Sequence, residues 1–170
     1  MPATEDADVV TATGPRTARA EVTVAAPPAA VWEAVADPVR MGTWSPEAVG
    51  ARPHSGASGP LGVGAVFTGL NRAPRGRWAT RCEVVESTPG QSFAFVVTAL
   101  GGSPVSRWRF DLTPDADGTR VVQTWHDARG GLRGVVIRAF GLVVLPGDRP
   151  RHNAGTMAVT LRRMAAELAR

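Results

Sequence analysis

Residues 22–46 constrain the fold more than any other part of the chain. They read V-T-V-A-A-P-P-A-A-V-W-E-A-V-A-D-P-V-R-M-G-T-W-S-P, an alternating segment followed by two short segments of helical spacing. Pro27 and Pro28 end the strand and favour a helix start, because proline is tolerated in a first helical turn. Asp37 and Pro38 separate the two helices, because the residue before a proline resists the α region. The pattern predicts strand, helix, helix in that order.

Regular strands are expected in the middle of the chain. Trp108, Phe110 and Leu112 alternate with charged residues, which fixes the face that points inward. Turn residues separate this run from similar ones at short and even spacing, a pattern typical of an antiparallel meander. Five or six strands are predicted after the first. In the last strand, residues 119–127, alternation alone leaves the register ambiguous.

A long amphipathic helix is predicted at about residues 150–169. Its apolar positions recur at helical spacing, while the arginines and Glu167 fall on the opposite face. A helix with one apolar stripe must pack on something, and the concave side of the sheet is the available partner. The stripe consists of Ala154, Met157, Ala158, Leu161, Met164, Ala165 and Leu168.

Taken together, five short segments give the chain a resemblance to a known family. They are A-P-P-A-A-V-W-E-A-V-A-D-P at 26–38, W-S-P at 44–46, W-A-T-R-C-E-V-V-E at 78–86, G-T-R-V at 118–121 and N-A-G-T-M-A-V-T-L-R-R-M at 153–164. In this order they resemble the START-like SRPBCC superfamily (Bet v 1-like), which includes polyketide cyclase/dehydrase and lipid-transport proteins. The resemblance implies an α+β helix-grip fold, in which a curved antiparallel sheet of six to seven strands wraps around the C-terminal helix. Residues 1–15 are expected to form a flexible tail and residues 16–170 a single domain.

The same resemblance implies an internal apolar cavity that holds a small molecule. The first functional hypothesis is a carrier or sequestering protein for a lipid, a fatty acid or an aromatic, polyketide-like metabolite. Two alternatives remain open: an enzyme of the polyketide aromatase/cyclase type, and a protein-interaction module of the chaperone-activator type. Whether the chain is an enzyme is left undecided, because no residue of these segments is a catalytic residue of the whole family.

Candidate cavity residues follow from alternation and from the helix faces. Family resemblance favours an inward Gln123 in the last strand, with Thr80 and Cys82 as further polar groups, because small-ligand sites combine apolar walls with few polar groups. The alternative is that all of these residues simply fill a core. The candidate ligand-binding residues are Met41, Trp44, Phe95, Val97, Trp108, Phe110, Gln123, Trp125, Met157 and Leu161.

Residue chemistry argues against metal, thiol and redox functions. Cys82 is the single cysteine, so no internal disulfide can form, and a lone strand cysteine is usually a buried apolar residue. His54, His126 and His152 lack the spacing of zinc ligands. His152 and Asn153 begin the last helix near the expected cavity mouth and could orient a ligand. No cofactor and no metal are predicted.

Charge and hydropathy bear on partners and location. The 170 residues carry 19 basic groups, all of them arginine, and a formal net charge of +4. Most arginines alternate with apolar or acidic residues, so no nucleic-acid partner is predicted. The start of the chain lacks the apolar core of a secretory signal, and no apolar run is long enough to span a bilayer. A cytoplasmic protein without stable membrane insertion is expected.

Residues 132–145 form an apolar segment between the last strand and the last helix. The sequence L-R-G-V-V-I-R-A-F-G-L-V-V-L contains only two charged residues. Such a segment can cover the cavity as a lid, form a homodimer contact, touch a membrane with Arg133 and Arg138 near the headgroups, or belong to the core.

Overall fold

The structure is a computed structural model that describes residues 8–98, 102–130 and 148–170. Residues 132–145, for which a lid, an interface, a membrane contact and a core role were all considered, lie outside the described residues. Within the described ranges there are eight strands and three helices, with two helices after the second strand and the third after the last strand, as expected for an α+β protein.

The elements are as follows in chain order. The strands are β1 Val10–Gly14, β2 Thr17–Val24, β3 Ala48–Pro53, β4 Val66–Ala73, β5 Gly76–Thr88, β6 Ser92–Thr98, β7 Pro104–Asp115 and β8 Gly118–Asp127. The helices are α1 Pro28–Val35, α2 Pro38–Trp44 and α3 Arg149–Leu168. All strands belong to one antiparallel sheet in the order β1-β2-β8-β7-β6-β5-β4-β3. This is the predicted helix-grip arrangement.

Local chemistry sets the helix starts. The Asp37 carboxylate accepts hydrogen bonds from the backbone N–H groups of Val39, at 2.9 Å, and Arg40, at 3.3 Å, and so caps α2. Asp148 caps α3 in the same way by accepting from the N–H of Arg151. Each of the three helices has a proline in its first turn, where the missing N–H removes no helical hydrogen bond.

One sheet pairing joins distant parts of the chain. β2 pairs with β8 so that Thr17 lies opposite His126 and Val24 opposite Thr119. The Arg16 guanidinium donates to the carbonyl of Asp127, which is 111 residues away in sequence. All other strand pairs are neighbours in sequence, so this pairing alone brings the amino-terminal strands into the sheet.

The core lies between the concave face of the sheet and the helices. The buried side of α3 packs against β1, β2 and β8, and its Met157, Leu161 and Met164 side chains are almost fully buried. The register predicted for β8 is confirmed: Val121, Gln123 and Trp125 are buried. Their neighbours in β8 face the other side of the sheet.

The strand count and the amino-terminal tail need correction. Residues 10–14 were expected to belong to a flexible tail, but they form β1, which pairs with β2 from Val10 opposite Glu21 to Gly14 opposite Thr17. With β1 included, the sheet has eight strands instead of the predicted six or seven. Four of its five residues are exposed, so it lacks the alternation of buried and exposed side chains by which strands are found in sequence. Backbone pairing with β2 is what holds it.

Candidate functional site

A cavity of about 110 Å³ lies between the concave face of the sheet and the helices α2 and α3. Since space for one water requires about 10–15 Å³ on this measure, the cavity is large enough for a small organic group. Its wall is mostly apolar, with polar side chains at a few positions. The lining residues are Val35, Pro38, Met41, Ser45, Glu47, Ala48, Gly50, Ala51, Phe67, Gly69, Asn71, Thr80, Cys82, Phe93, Phe95, Val97, Trp108, Phe110, Gln123, Thr156, Met157 and Thr160.

Aromatic side chains from neighbouring strands form the floor of the cavity. The rings of Phe67 and Phe95 meet edge to face with centroids 5.4 Å apart, and those of Phe93 and Phe95 are 6.1 Å apart. Register places Phe93 opposite Phe110 and Phe95 opposite Trp108. Edge-to-face contacts favour fixed ring positions, so this floor is preformed.

Seven of the ten candidate residues line the cavity: Met41, Phe95, Val97, Trp108, Phe110, Gln123 and Met157. The structure places the other three elsewhere. Trp44 is buried with its indole N–H donating to Glu167 at 2.7 Å, which directs the ring along α3. Trp125 packs against Trp108 with ring centroids 6.5 Å apart, and Leu161 belongs to the buried stripe of α3. These three residues lie outside the lining because they fill the packing between α3, α2 and the sheet.

Several lining residues were not among the candidates. Phe93 alternates with Phe95 and Val97 in β6, so strand periodicity could have added it to the set. Glu47 and Ser45 follow α2, where no periodicity applies, and only the three-dimensional arrangement brings them to the cavity. Thr156 and Thr160 lie one helical turn apart on α3 beside Met157. Their hydroxyls donate to backbone carbonyls of the preceding turn.

Glu47 is the single charged residue among the described lining residues. Its carboxylate accepts hydrogen bonds from Arg149 at 3.1 Å and from His152 Nε2 at 2.6 Å, both on the first turn of α3. Burial of the carboxyl raises its pKa, but the His152 hydrogen bond and the Arg149 charge outweigh burial, so the pKa of Glu47 is lowered. His152 was considered as a ligand-orienting residue at the cavity mouth, and its described partner is this carboxylate.

Replacing Glu47 by glutamine is expected to lower the free energy of unfolding by about 2 kcal/mol near neutral pH, because hydrogen bonds to charged groups contribute about 1.5–3 kcal/mol. A carboxyl with a lowered folded pKa stabilises the fold above its ordinary pKa of 4.5 and loses that contribution as the pH falls through the folded pKa. The difference in unfolding free energy between wild type and Glu47→Gln should therefore shrink in acid. Urea unfolding at neutral pH and at acidic pH measures this difference.

The exposed Glu33 on α1 provides the matched control, since Glu33→Gln should change the unfolding free energy at neither pH. An equal loss for Glu47→Gln at acidic and neutral pH would show that the carboxylate charge does not stabilise this contact.

Three polar side chains continue along the wall formed by β4 and β5. Asn71 Nδ2 lies 3.4 Å from Thr80 Oγ1, and that oxygen lies 3.7 Å from Cys82 Sγ. Burial raises the pKa of the Cys82 thiol to about 11. The thiol is therefore protonated at neutral pH and acts as a small wall residue, as expected for a lone strand cysteine.

Two buried amide side chains have atoms without a hydrogen-bond partner among the described residues. Gln123 lines the cavity from β8 opposite Phe110 and is 4% exposed, and its Oε1 has no partner in the described part of the chain. Asn153 on α3 is 1% exposed, and neither its Oδ1 nor its Nδ2 has a partner within the same ranges. A buried amide atom without a hydrogen bond destabilises the fold unless another group supplies that bond. At Gln123, a polar group of a bound molecule in the cavity could do so.

Two further kinds of feature were sought in the described part of the chain, metal-ligand clusters and membrane-spanning helices. Within residues 8–98, 102–130 and 148–170, no three His, Cys, Asp or Glu side chains come together as metal ligands would. No helix in the same ranges is long and apolar enough to cross a membrane. What the described residues build is a largely apolar cavity with a few polar groups, gripped between a sheet and a helix.

These features define a helix-grip protein with a largely apolar internal cavity. The chain belongs to the polyketide cyclase/dehydrase and lipid transport family, whose sequence profile matches residues 15–168. This places it in the SRPBCC superfamily that its sequence segments resemble. No curated protein matched the chain in a sequence search.

Solved structures share the fold at low sequence identity. Protein CV1439 from Chromobacterium violaceum is 17% identical, with a TM-score of 0.64 over 92% of this chain and 99% of that one. Protein MLL2253 from Mesorhizobium loti is 20% identical, with a TM-score of 0.59 over 89% and 98%. The di-domain ARO/CYC StfQ from the steffimycin biosynthetic pathway is 15% identical, with a TM-score of 0.65, and this chain spans half of its length.

Proposed function

We propose that this protein binds an apolar small molecule in its cavity and acts as a carrier or sequestering protein. The observation that carries the proposal is a preformed aromatic floor beside the buried Oε1 of Gln123, which has no hydrogen-bond partner among the described residues. An apolar ligand would gain about 25 cal/mol for each Å² of apolar surface buried there. A lipid, a fatty acid or an aromatic, polyketide-like metabolite fits this description, and a polar group on it would pair with Gln123.

A second candidate is an enzyme of the polyketide aromatase/cyclase type. The observation that favours it is the Glu47–His152 pair, since Glu47 lines the cavity and a carboxylate beside a histidine can move a proton. Against it, the pKa of Glu47 is lowered, and a weakly basic carboxylate has little tendency to accept a proton near neutral pH. The carrier is therefore the better supported function.

The interaction-module alternative has less support. It predicts a filled interior, whereas the structure has a cavity of about 110 Å³. Location in the cytoplasm also remains part of the proposal, and the free and buried Cys82 is compatible with a reducing compartment. A homodimer contact through residues 132–145 keeps its place as a proposal as well.

Replacing Gln123 by methionine should separate binding from stability. The change removes a buried amide oxygen that has no partner among the described residues, so the free energy of unfolding of the ligand-free protein should rise by about 1 kcal/mol. Binding of a ligand that pairs with the amide should weaken by about fivefold, because a hydrogen bond contributes about 1 kcal/mol. Native mass spectrometry of the purified protein, followed by organic extraction, identifies the ligand and its occupancy.

The control for this substitution is Gln91→Met, since Gln91 is exposed in the turn between β5 and β6 and lies outside the cavity lining. It should change neither occupancy nor stability. A protein that purifies without any bound apolar molecule and also fails to bind 1-anilinonaphthalene-8-sulfonate would contradict the carrier proposal.

A further inference from the structure

Three exposed arginines lie together at one corner of the sheet. Arg72 lies on β4, Arg77 on β5, and Arg75 in the two-residue turn that joins β4 to β5. These three residues form the arginine corner. Within the described parts of the chain, no carboxylate forms an ion pair with any of them.

Elsewhere on the outer face of the sheet, arginines form ion pairs with carboxylates. On β2 and β8, Glu21 pairs with both Arg19 and Arg120. On β5 and β7, a second group of ion pairs joins Arg107 and Arg109 to Glu86 and Asp111. Because arginines elsewhere on this face have carboxylate partners, an excess of arginine in the composition does not by itself explain the arginine corner.

Two of the three arginines face each other. Arg72 pairs with Arg77 across the β4–β5 hairpin, one residue pair before the turn that carries Arg75. Directly opposed side chains in an antiparallel pair lie about 4.5–5.5 Å apart at their Cβ atoms, and like charges at this distance oppose pairing. The hairpin therefore contains a repulsion that an external anion would relieve.

The arginine corner also lies beside one end of the cavity. Asn71, which lines the cavity, immediately precedes Arg72, and it pairs with Trp78, the residue after Arg77. Trp78 is half-buried on the inner side of the same hairpin. A surface that binds the arginine corner would come close to the mouth of the site where we propose that an apolar molecule binds.

We propose that the arginine corner docks the protein on the surface of an anionic phospholipid bilayer. The three arginines are exposed at and beside the β4–β5 turn, and a diffuse negative surface needs no groove to bind them. Tryptophan beside basic residues is typical of the membrane–water interface. Each arginine near such a surface strengthens binding about fivefold at moderate ionic strength. The docking proposal rests on the charges of the arginine corner and does not require that the cavity binds a ligand. If the proposed carrier function holds as well, docking would bring the carried molecule to a membrane.

The test is flotation of the purified protein with phosphatidylcholine vesicles that contain about one third phosphatidylglycerol. Wild type should float with these vesicles and not with pure phosphatidylcholine, and high salt should release it. The Arg72→Gln/Arg77→Gln protein should bind about 25-fold more weakly. Arg151→Gln/Arg162→Gln is the matched control, since it removes two exposed arginines from α3 and lowers net charge equally.

A third variant separates docking from damage to the fold. Arg77→Glu places opposite charges across the hairpin, so it should raise the melting temperature by about 1–3 °C while vesicle binding is lost. All variants should still bind 1-anilinonaphthalene-8-sulfonate in the cavity, which keeps failure of docking distinct from failure of the proposed carrier function.

Three outcomes would overturn the proposal. The first is wild-type protein that does not bind anionic vesicles at low salt. The second is an equal loss of binding in the α3 control, which would assign binding to net charge alone. The third is a single-stranded oligonucleotide that binds tightly through the same arginines while vesicles do not, which would make the corner a nucleic-acid contact.

Discussion

Replacing Gly42 by alanine is expected to destabilise the protein by about 2 kcal/mol, although alanine favours helices over glycine by about 1 kcal/mol. A Cβ atom at Gly42 would lie 2.7 Å from the backbone nitrogen of Gly50, 2.8 Å from its Cα and 2.9 Å from the carbonyl carbon of Val49. All three are backbone atoms of β3, so no change of side-chain rotamer relieves the contact. Helix α2 would have to move away from β3.

That movement should also reach the cavity, because α2 contributes Pro38 and Met41 to its wall. Urea unfolding measures the stability change, and dye titration measures the change at the cavity. Gly155→Ala on α3 is the control, since a Cβ there meets nothing within 4 Å and should stabilise the helix by up to about 1 kcal/mol. If both alanine variants were stabilised alike, the close approach of α2 to β3 would be wrong.

Replacing Val97 by phenylalanine is expected to weaken ligand binding strongly while the fold stays intact. Val97 lines the cavity from β6, so the larger ring would take space that the ligand needs. Loss of about 100 Å² of buried apolar ligand surface, at about 25 cal/mol per Å², weakens binding by about 70-fold. The free energy of unfolding of the ligand-free protein should stay level or rise slightly, because the ring fills a cavity.

The neighbouring Val96 supplies a control on the same strand. Adjacent residues in a strand point to opposite faces, and Val96 pairs with Arg107 on the outer face. Val96→Phe adds the same atoms outside the cavity and should leave binding unchanged. Should Val97→Phe instead lower stability by about 1–3 kcal/mol, the site would be overpacked and the interior would have no room for a ligand.

Periodic side-chain patterns account for the parts of the fold that sequence predicts well. The alternation around Trp108 and Phe110 determined the inward face of β7, and the stripe around Met157 determined the buried face of α3. In β8, residues alone left the register open, and resemblance to the family resolved it in favour of an inward Gln123. Such patterns work because one face of each element is buried and the other is not.

The residues that were not predicted from the sequence lie in segments where buried and exposed side chains do not alternate regularly. Glu47 reaches the cavity from the segment between α2 and β3, and its partners Arg149 and His152 come from a helix that begins 102 residues later. β1 escaped prediction because nearly all of its side chains are exposed. The arginine corner was not predicted because only the pairing of β4 with β5 places Arg72 opposite Arg77.

The pairing of β2 with β8 has a consequence for synthesis of the protein on the ribosome. The Arg16 contact with Asp127 spans 111 residues, and at about 5–20 residues per second the ribosome needs roughly 5–20 seconds to make the intervening chain. Throughout that interval β1 and β2 have no neighbouring strand on the side that β8 later occupies. Helix α3, which covers their apolar face, follows later still. The nascent chain therefore exposes an unpaired strand edge and part of its future core until β8 and α3 have been made.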